Sequence, residues 1–347
     1  MVNFPAPVGG TALPADFAPS IVFAVLYALL LPLMLYRLYK RRSRTTLLIG
    51  TITFSVERVV IFSLRAVQSR NEARRFSHGL VTYMQVSFAL GFIGIANDLV
   101  NIVRCILINP TYGSDMYYQS PAAKTKGGVF TPPPEGTPDQ PRLRFWLRRF
   151  SDFLGLAFLA ATVPGTIANS TYGKVFDNQQ NADKTAKYRF VSTGVALGMC
   201  AMLIGVIAWI RRKFPRTSRR GATIICLVST LMAVVAIYRL SVMNIKATTL
   251  TVQTSLDKPG AKAAFYIFHA LPEWLAILIL LASNVRKLFG TGLAGDFRGR
   301  DLNKRELKKR EAKLAKEKEK GASEADGATD NIPLKEKNAS VLVSNLV

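Results

Sequence analysis

The sequence predicts an all-α fold: a polytopic membrane protein built as a seven-transmembrane helix bundle. Three observations lead there. Seven apolar runs, each near the twenty residues a helix needs to cross a bilayer, divide the first 290 positions. Of 347 residues 49% are hydrophobic, yet the formal net charge is +24. A soluble globule this basic would carry fewer apolar runs, whereas basic loops between membrane spans satisfy both facts. Most of the Lys and Arg residues also fall between the runs and after the last one, not on one folded module, which argues against a nucleic-acid surface.

Residues 1–17 are rich in Pro and Gly, hold no Lys or Arg, and read as a short disordered extracytoplasmic tail. The first span, about 18–39, has no preceding Lys or Arg and is too long for a signal-peptide core, so it is expected to stay uncleaved. It ends in Arg37, Lys40, Arg41, Arg42 and Arg44. The second span, about 45–65, is the least apolar and carries Glu57 and Arg58 near its centre. The third, about 79–107, contains Asn97, Asp98, Asn101 and Arg104. Residues 109–149, with Pro132, Pro133 and Pro134, read as a linker too proline-rich to pack. Spans at about 150–169, 190–210, 221–241 and 264–284 complete the bundle over 18–290. Residues 291–347 form a basic tail, helix-forming over Leu302–Lys320 and disordered beyond 321.

Loop charge sets the expected orientation. With the N-terminus outside, the inner loops hold five, six and six Lys or Arg and the outer loops four each, and fifteen more follow from Arg286 onward. The positive-inside rule then places the C-terminus in the cytoplasm. The partners this implies are the lipid bilayer, anionic headgroups at the basic inner loops and tail, and a cytosolic protein. The plasma membrane or another secretory-pathway membrane is the expected location.

Ionisable residues at bilayer depth are costly, about +2.5 to +3.5 kcal/mol each at mid-helix, so they are expected to pair. In the seventh span Tyr266, His269 and Glu273 share one helical face at i, i+3 and i+7, with Pro272 loosening the backbone beside them. In the third span Asn97, Asn101 and Arg104 form a polar stripe with Asp98 at its edge. Arg58 is expected to pair with Asp98 or Glu273, which makes Glu57, Arg58, Asn97, Asp98, Asn101, Tyr266, His269 and Glu273 a candidate ligand or ion cluster. A structural lock that fixes helix register is the competing reading. Arg104, near a span end, is expected to snorkel to the interface. Trp146, Trp209 and Tyr238 read as interfacial anchors. Asn169 begins a sequon and is a possible glycosylation site; a second sequon begins at Asn338. Asn109-Pro110-Thr111-Tyr112 matches a short sorting pattern but reads better as a helix stop.

Absences narrow the function. With His78 and His269 the only histidines, a three-histidine zinc site is not possible, and no cofactor or metal is expected. The chain has no Ser-His-Asp or Cys-His arrangement and no phosphate loop, so an enzyme is not expected. Cys105, Cys200 and Cys226 lie inside apolar runs and suggest no disulfide framework.

Seven spans with the N-terminus outside look like a receptor layout, although Asn101-Ile102-Val103-Arg104-Cys105 stands where rhodopsin-like receptors carry Asp-Arg-Tyr. The second span with Glu57, Arg58 and Arg65, and the seventh with Glu273, resemble fungal seven-helix membrane proteins of the lipid-translocating-exporter-like group. The expected function is a receptor-like sensor. A transporter of a lipid or small amphiphile, with Glu273 or Asp98 cycling its protonation, is the first alternative and a structural membrane scaffold the second.

Overall fold

The computed structural model describes residues 2–214, 217–297, 300–301, 305–306 and 312. The expected tail helix over Leu302–Lys320 lies outside these except at 305–306 and 312, and residues 321–347, with Asn338, lie wholly outside.

Seven helices are long and apolar enough to cross a membrane: span 1 (Pro14–Tyr39), span 2 (Thr46–Arg70), span 3 (His78–Thr111), span 4 (Pro141–Ser170), span 5 (Gln179–Lys213), span 6 (Arg219–Val242) and span 7 (Pro259–Ala282). Their number and order match the sequence reading, and several begin or end a few turns beyond it. Those extra turns are polar, and apolar content alone does not mark them. Span 3 is the central helix, with 72% of its most apolar stretch buried inside the protein. Its interior face includes Phe88, Phe92, Ile95, Ala96, Leu99 and Ile102.

Two spans are not continuous α-helix. Span 1 breaks after Ala28 and resumes at Leu31, with Pro32 in the new first turn, where its missing N–H is tolerated. Span 7 winds as a π-helix over Tyr266–Ala270, just before Pro272. Proline cannot donate to the ladder, and a π turn absorbs the displaced backbone.

Three expectations need correction. Residues 4–12 are not a disordered tail. Phe4–Pro5 pairs antiparallel with Lys246–Ala247, and Phe4, Ala6 and Val8 are buried. The chain then turns at Gly9 (φ +82°), where a Cβ would stand 2.9 Å from the Phe265 ring, so only glycine fits. Residues 109–140 do pack at the other end of the bundle, although Pro132–Pro134 does run extended. Asn109, Thr111 and Tyr112 are buried, so the Asn-Pro-Thr-Tyr stretch is a helix stop and is closed to a sorting receptor. The stretch after residue 290 begins as bundle rather than as free tail: Thr46 N–H donates to Leu293 O (2.8 Å), and Thr291 and Asp296 are buried. Apolar-run length missed all three segments because each buries only a few scattered apolar residues and is held as well by main-chain and ionic contacts.

Candidate functional site: a buried polar core

Span 2 supplies two arginines seven residues apart, Arg58 and Arg65, both turned inward and both buried. Arg58 meets Glu273 of span 7, Nη2 to Oε1 at 2.7 Å and Nε to Oε1 at 3.1 Å. Its other donors go to Ser87 of span 3, Nη1 to Oγ and Nη2 to the carbonyl (3.0 Å), and the guanidinium lies over the Phe88 ring at 5.3 Å. Gly91 of span 3 makes the room: a Cβ there would fall 1.9 Å from Arg58 Nη2 and 2.4 Å from Glu273 Oε1. Three helices therefore converge on one ion pair, and a single methyl group would displace it.

The ion pair has unmade bonds around it. Glu273 Oε2 lies 3.8 Å from His269 Nδ1, too far for a hydrogen bond, and that nitrogen has no partner. His269 Nε2 is 3.3 Å from Arg239 Nη1 of span 6, which also donates to Phe88 O at 3.1 Å. Arg239 Nε, Tyr27 Oη and Ser55 Oγ are buried and unpartnered as well. Buried polar atoms are normally bonded, so these positions suit small polar guests such as water.

A second cluster lies one to two turns nearer the N-terminal segment. Arg65 Nη2 pairs with Asp16 Oδ1 (3.0 Å) and donates to Gly9 O (2.7 Å), while Tyr266 Oη donates to Asp16 Oδ1 (2.9 Å) and lies 2.9 Å from Ser20 Oγ. Lys262 bridges Asp16 (3.0 Å) and Asp257 (3.4 Å) and also donates to the carbonyls of Gly9 and Thr11. Asp257 accepts from Thr11 N–H (2.9 Å) and Thr254 N–H (2.8 Å). Burial pushes its carboxyl up, but the Thr254 donors, the Lys262 ammonium and Thr11 outweigh it and hold the group below its ordinary value. Gln85 of span 3 bonds Val8 through both N–H and C=O, and Arg189 of span 5 donates to Gln85 Oε1 (3.2 Å). The N-terminal segment is thus a cap, held by side chains of spans 2, 3, 5 and 7 mainly through its own main chain.

The predicted cluster is therefore only partly assembled. Arg58 and Glu273 meet as expected, with His269 beside them. Tyr266 belongs to the Asp16–Arg65 cluster instead. Asp98 is not a partner of Arg58. Its Oδ2 accepts from Thr51 N–H (2.8 Å) and Oγ1 (2.7 Å), two turns away on span 2. Thr51 is in the first turn of the α-helical part of span 2, so Asp98 caps that helix from a neighbour and satisfies an amide with no intrahelical acceptor. Glu57 is half-buried and outside salt-bridge range of Arg58. Asn97 and Asn101 are half-buried, and Asn101 Nδ2 reaches Asn97 O at 3.5 Å along its own helix.

Further site expectations change on the geometry. Arg104 does not snorkel freely; it pairs with Asp152 of span 4 and lies 4.0 Å from Asp296. Tyr238 is buried against Phe265 and His269, whereas Trp146 and Trp209 are exposed as anchors should be. Asn169 is buried and its Nδ2 donates to Gly165 O (2.6 Å), so the atom a glycan would occupy is already engaged.

Sequence reasoning missed Asp16, Arg189, Arg239 and Lys262. It counted the last three with the outer loops because each lies near a span edge. The available signal was that Arg65, Arg189 and Arg239 recur at a similar depth on the same end of three spans. Among the described residues, no group of three His, Cys, Asp or Glu side chains is arranged to hold a metal ion.

The architecture is that of a seven-helix, multi-pass membrane protein. No family model, no curated protein and no solved structure matches the chain.

Proposed function

We propose that the chain is a seven-helix membrane sensor, not an enzyme, with its N-terminus outside and its C-terminus facing a cytosolic partner protein. One observation carries the reading. The Arg58–Glu273 ion pair joins span 2 to span 7 within one turn of the stretch where span 7 is wound as a π-helix, and unpartnered groups surround it. Such a pair can exchange partners without leaving the protein, because His269 stands ready on the other oxygen of Glu273. π turns are frequent at functional sites, where a helix must change its winding. Span 7 also reaches the C-terminal end: Leu281 O and Ala282 O accept from Arg37, and Phe289 O and Gly290 O just beyond accept from Asn109. A shift of span 7 at Glu273 would therefore alter the surface at that end. The loop-charge count supports the orientation. The likeness to fungal seven-helix proteins is compatible with it and rests on Glu57, Arg58, Arg65 and Glu273 alone.

The test is hydrogen exchange on full-length protein in nanodiscs, comparing wild type with Glu273→Gln. The sensor reading expects faster exchange at Val285–Phe289 and around Asn109, far from the substitution. A change confined to the turns next to residue 273 would reduce the pair to a local lock and refute the reading. The unpartnered Tyr27, His269 and Arg239 atoms favour a second reading, in which water lines a path for proton-coupled transport of a lipid or small amphiphile. In sealed proteoliposomes that reading expects a proton flux which Glu273→Gln abolishes.

A further inference from the structure

An apolar groove of about 460 Å³ opens between spans 3, 4 and 5, lined by Leu107, Leu147, Phe150, Met202, Val206 and Trp209 around Gly205. It lies within one to three helical turns of the C-terminal ends of spans 3 and 5 and the start of span 4, far from Glu273 along the bundle. On span 5 the groove residues Met202, Gly205, Val206 and Trp209 follow the i, i+3, i+4, i+7 stripe of one helical face. The next residues of that stripe are Arg212 and Lys213, both exposed in the last turn. At Gly205 a Cβ would meet no atom within 4 Å, so the space over the glycine is open.

We propose that this groove is a binding site for one anionic phospholipid, with an acyl chain along Gly205 and Trp209 and the headgroup on Arg212 and Lys213. The shape suits a chain because the lining is nearly all apolar and the floor is lowered where Gly205 has no side chain. The polarity suits a lipid rather than a protein segment, because the groove runs from apolar depth to cationic rim over about two helical turns, as a phospholipid does. Charge selects the headgroup. Each basic residue near the membrane surface attracts an anionic lipid by about 1 kcal/mol, so two of them give about a thirtyfold preference over a zwitterionic lipid.

Trp209 reports on its own groove. Full-length protein is reconstituted in phosphatidylcholine vesicles doped with brominated phosphatidylserine or, separately, brominated phosphatidylcholine. The Trp209 signal is the difference in fluorescence between wild type and Trp209→Phe. The expected result is half-quenching at about a thirtyfold lower fraction of the brominated serine lipid. Arg212→Gln with Lys213→Gln should bring the two lipids level, and Gly205→Leu, which fills open space, should remove the preference while leaving the fold intact. Equal quenching of wild type by both lipids would overturn the proposal in favour of ordinary bulk lipid. A preference that survives the double basic substitution, or survives Gly205→Leu, would overturn it too.

Discussion

Replacing Gly91 with alanine is the sharpest test of the buried core, because it adds one methyl group and touches no charge. The added carbon would lie 1.9 Å from Arg58 Nη2 and 2.4 Å from Glu273 Oε1, so Arg58 and Glu273 must move apart or span 3 must move away. Disrupting a buried pair so that a charge is left uncompensated costs about 3–5 kcal/mol. Alanine returns about 1 kcal/mol through its better helix propensity, so the expected net loss is about 3 kcal/mol. For a bundle of this size that corresponds to a fall in Tm of roughly 5 °C. The assay is thermal unfolding in detergent followed by a thiol-reactive dye, since Cys105 and Cys200 are buried and become reactive only on unfolding. Gly198→Ala is the matched control, because a Cβ there meets nothing within 4 Å. It should be neutral or slightly stabilising. A Gly91→Ala protein as stable as the control would refute the reasoning, since it would mean that Arg58 and Glu273 are not held against span 3.

Two further outcomes follow from the geometry. Asp98 and Glu273 share no partner, so a double-mutant cycle of Asp98→Asn and Glu273→Gln should be additive to within about 0.5 kcal/mol in the same unfolding assay, and a larger coupling would restore the single cluster expected from sequence. Asp257 carries a pH signature on the cap. Its native value lies below the ordinary 3.8, so the unfolded carboxyl binds its proton more tightly; the stabilisation is complete above 3.8 and is lost as pH falls through the native value. Protease protection of the N-terminal segment should therefore drop on the acid side, and Asp257→Asn should flatten that limb; an unchanged acid limb would count against the Asp257–Thr11 tie.

The apolar runs made the seven helices legible, because crossing a bilayer demands about twenty apolar residues whatever they pack against. The cost of charge at that depth likewise made the Arg58–Glu273 meeting legible, since each needed an opposite charge and span 7 offered one. The same reasoning could not choose between Glu273 and Asp98. That choice depends on the relative height of helices that are distant in sequence, and the structure settles it by placing Asp98 against the first turn of the α-helical part of span 2.

Where charges sit near span edges, composition gives no direction. Arg65, Arg189, Arg239 and Lys262 have the sequence environment of loop residues, yet all are buried: the N-terminal segment folds back and offers Asp16 and a row of carbonyls to Arg65, Arg189 and Lys262, while Arg239 turns inward to Phe88 O and His269. That segment is short, polar in its bonding and held mainly through its main chain, so no hydrophobic period announces it. The sequence by itself determined the number of helices and the need for a buried counter-charge, since these follow from the transfer of each residue out of water. Which acid meets which base, and what covers the end of the bundle, were decided only by the tertiary structure, because pair energies depend on distances of a few ångströms that local sequence does not encode.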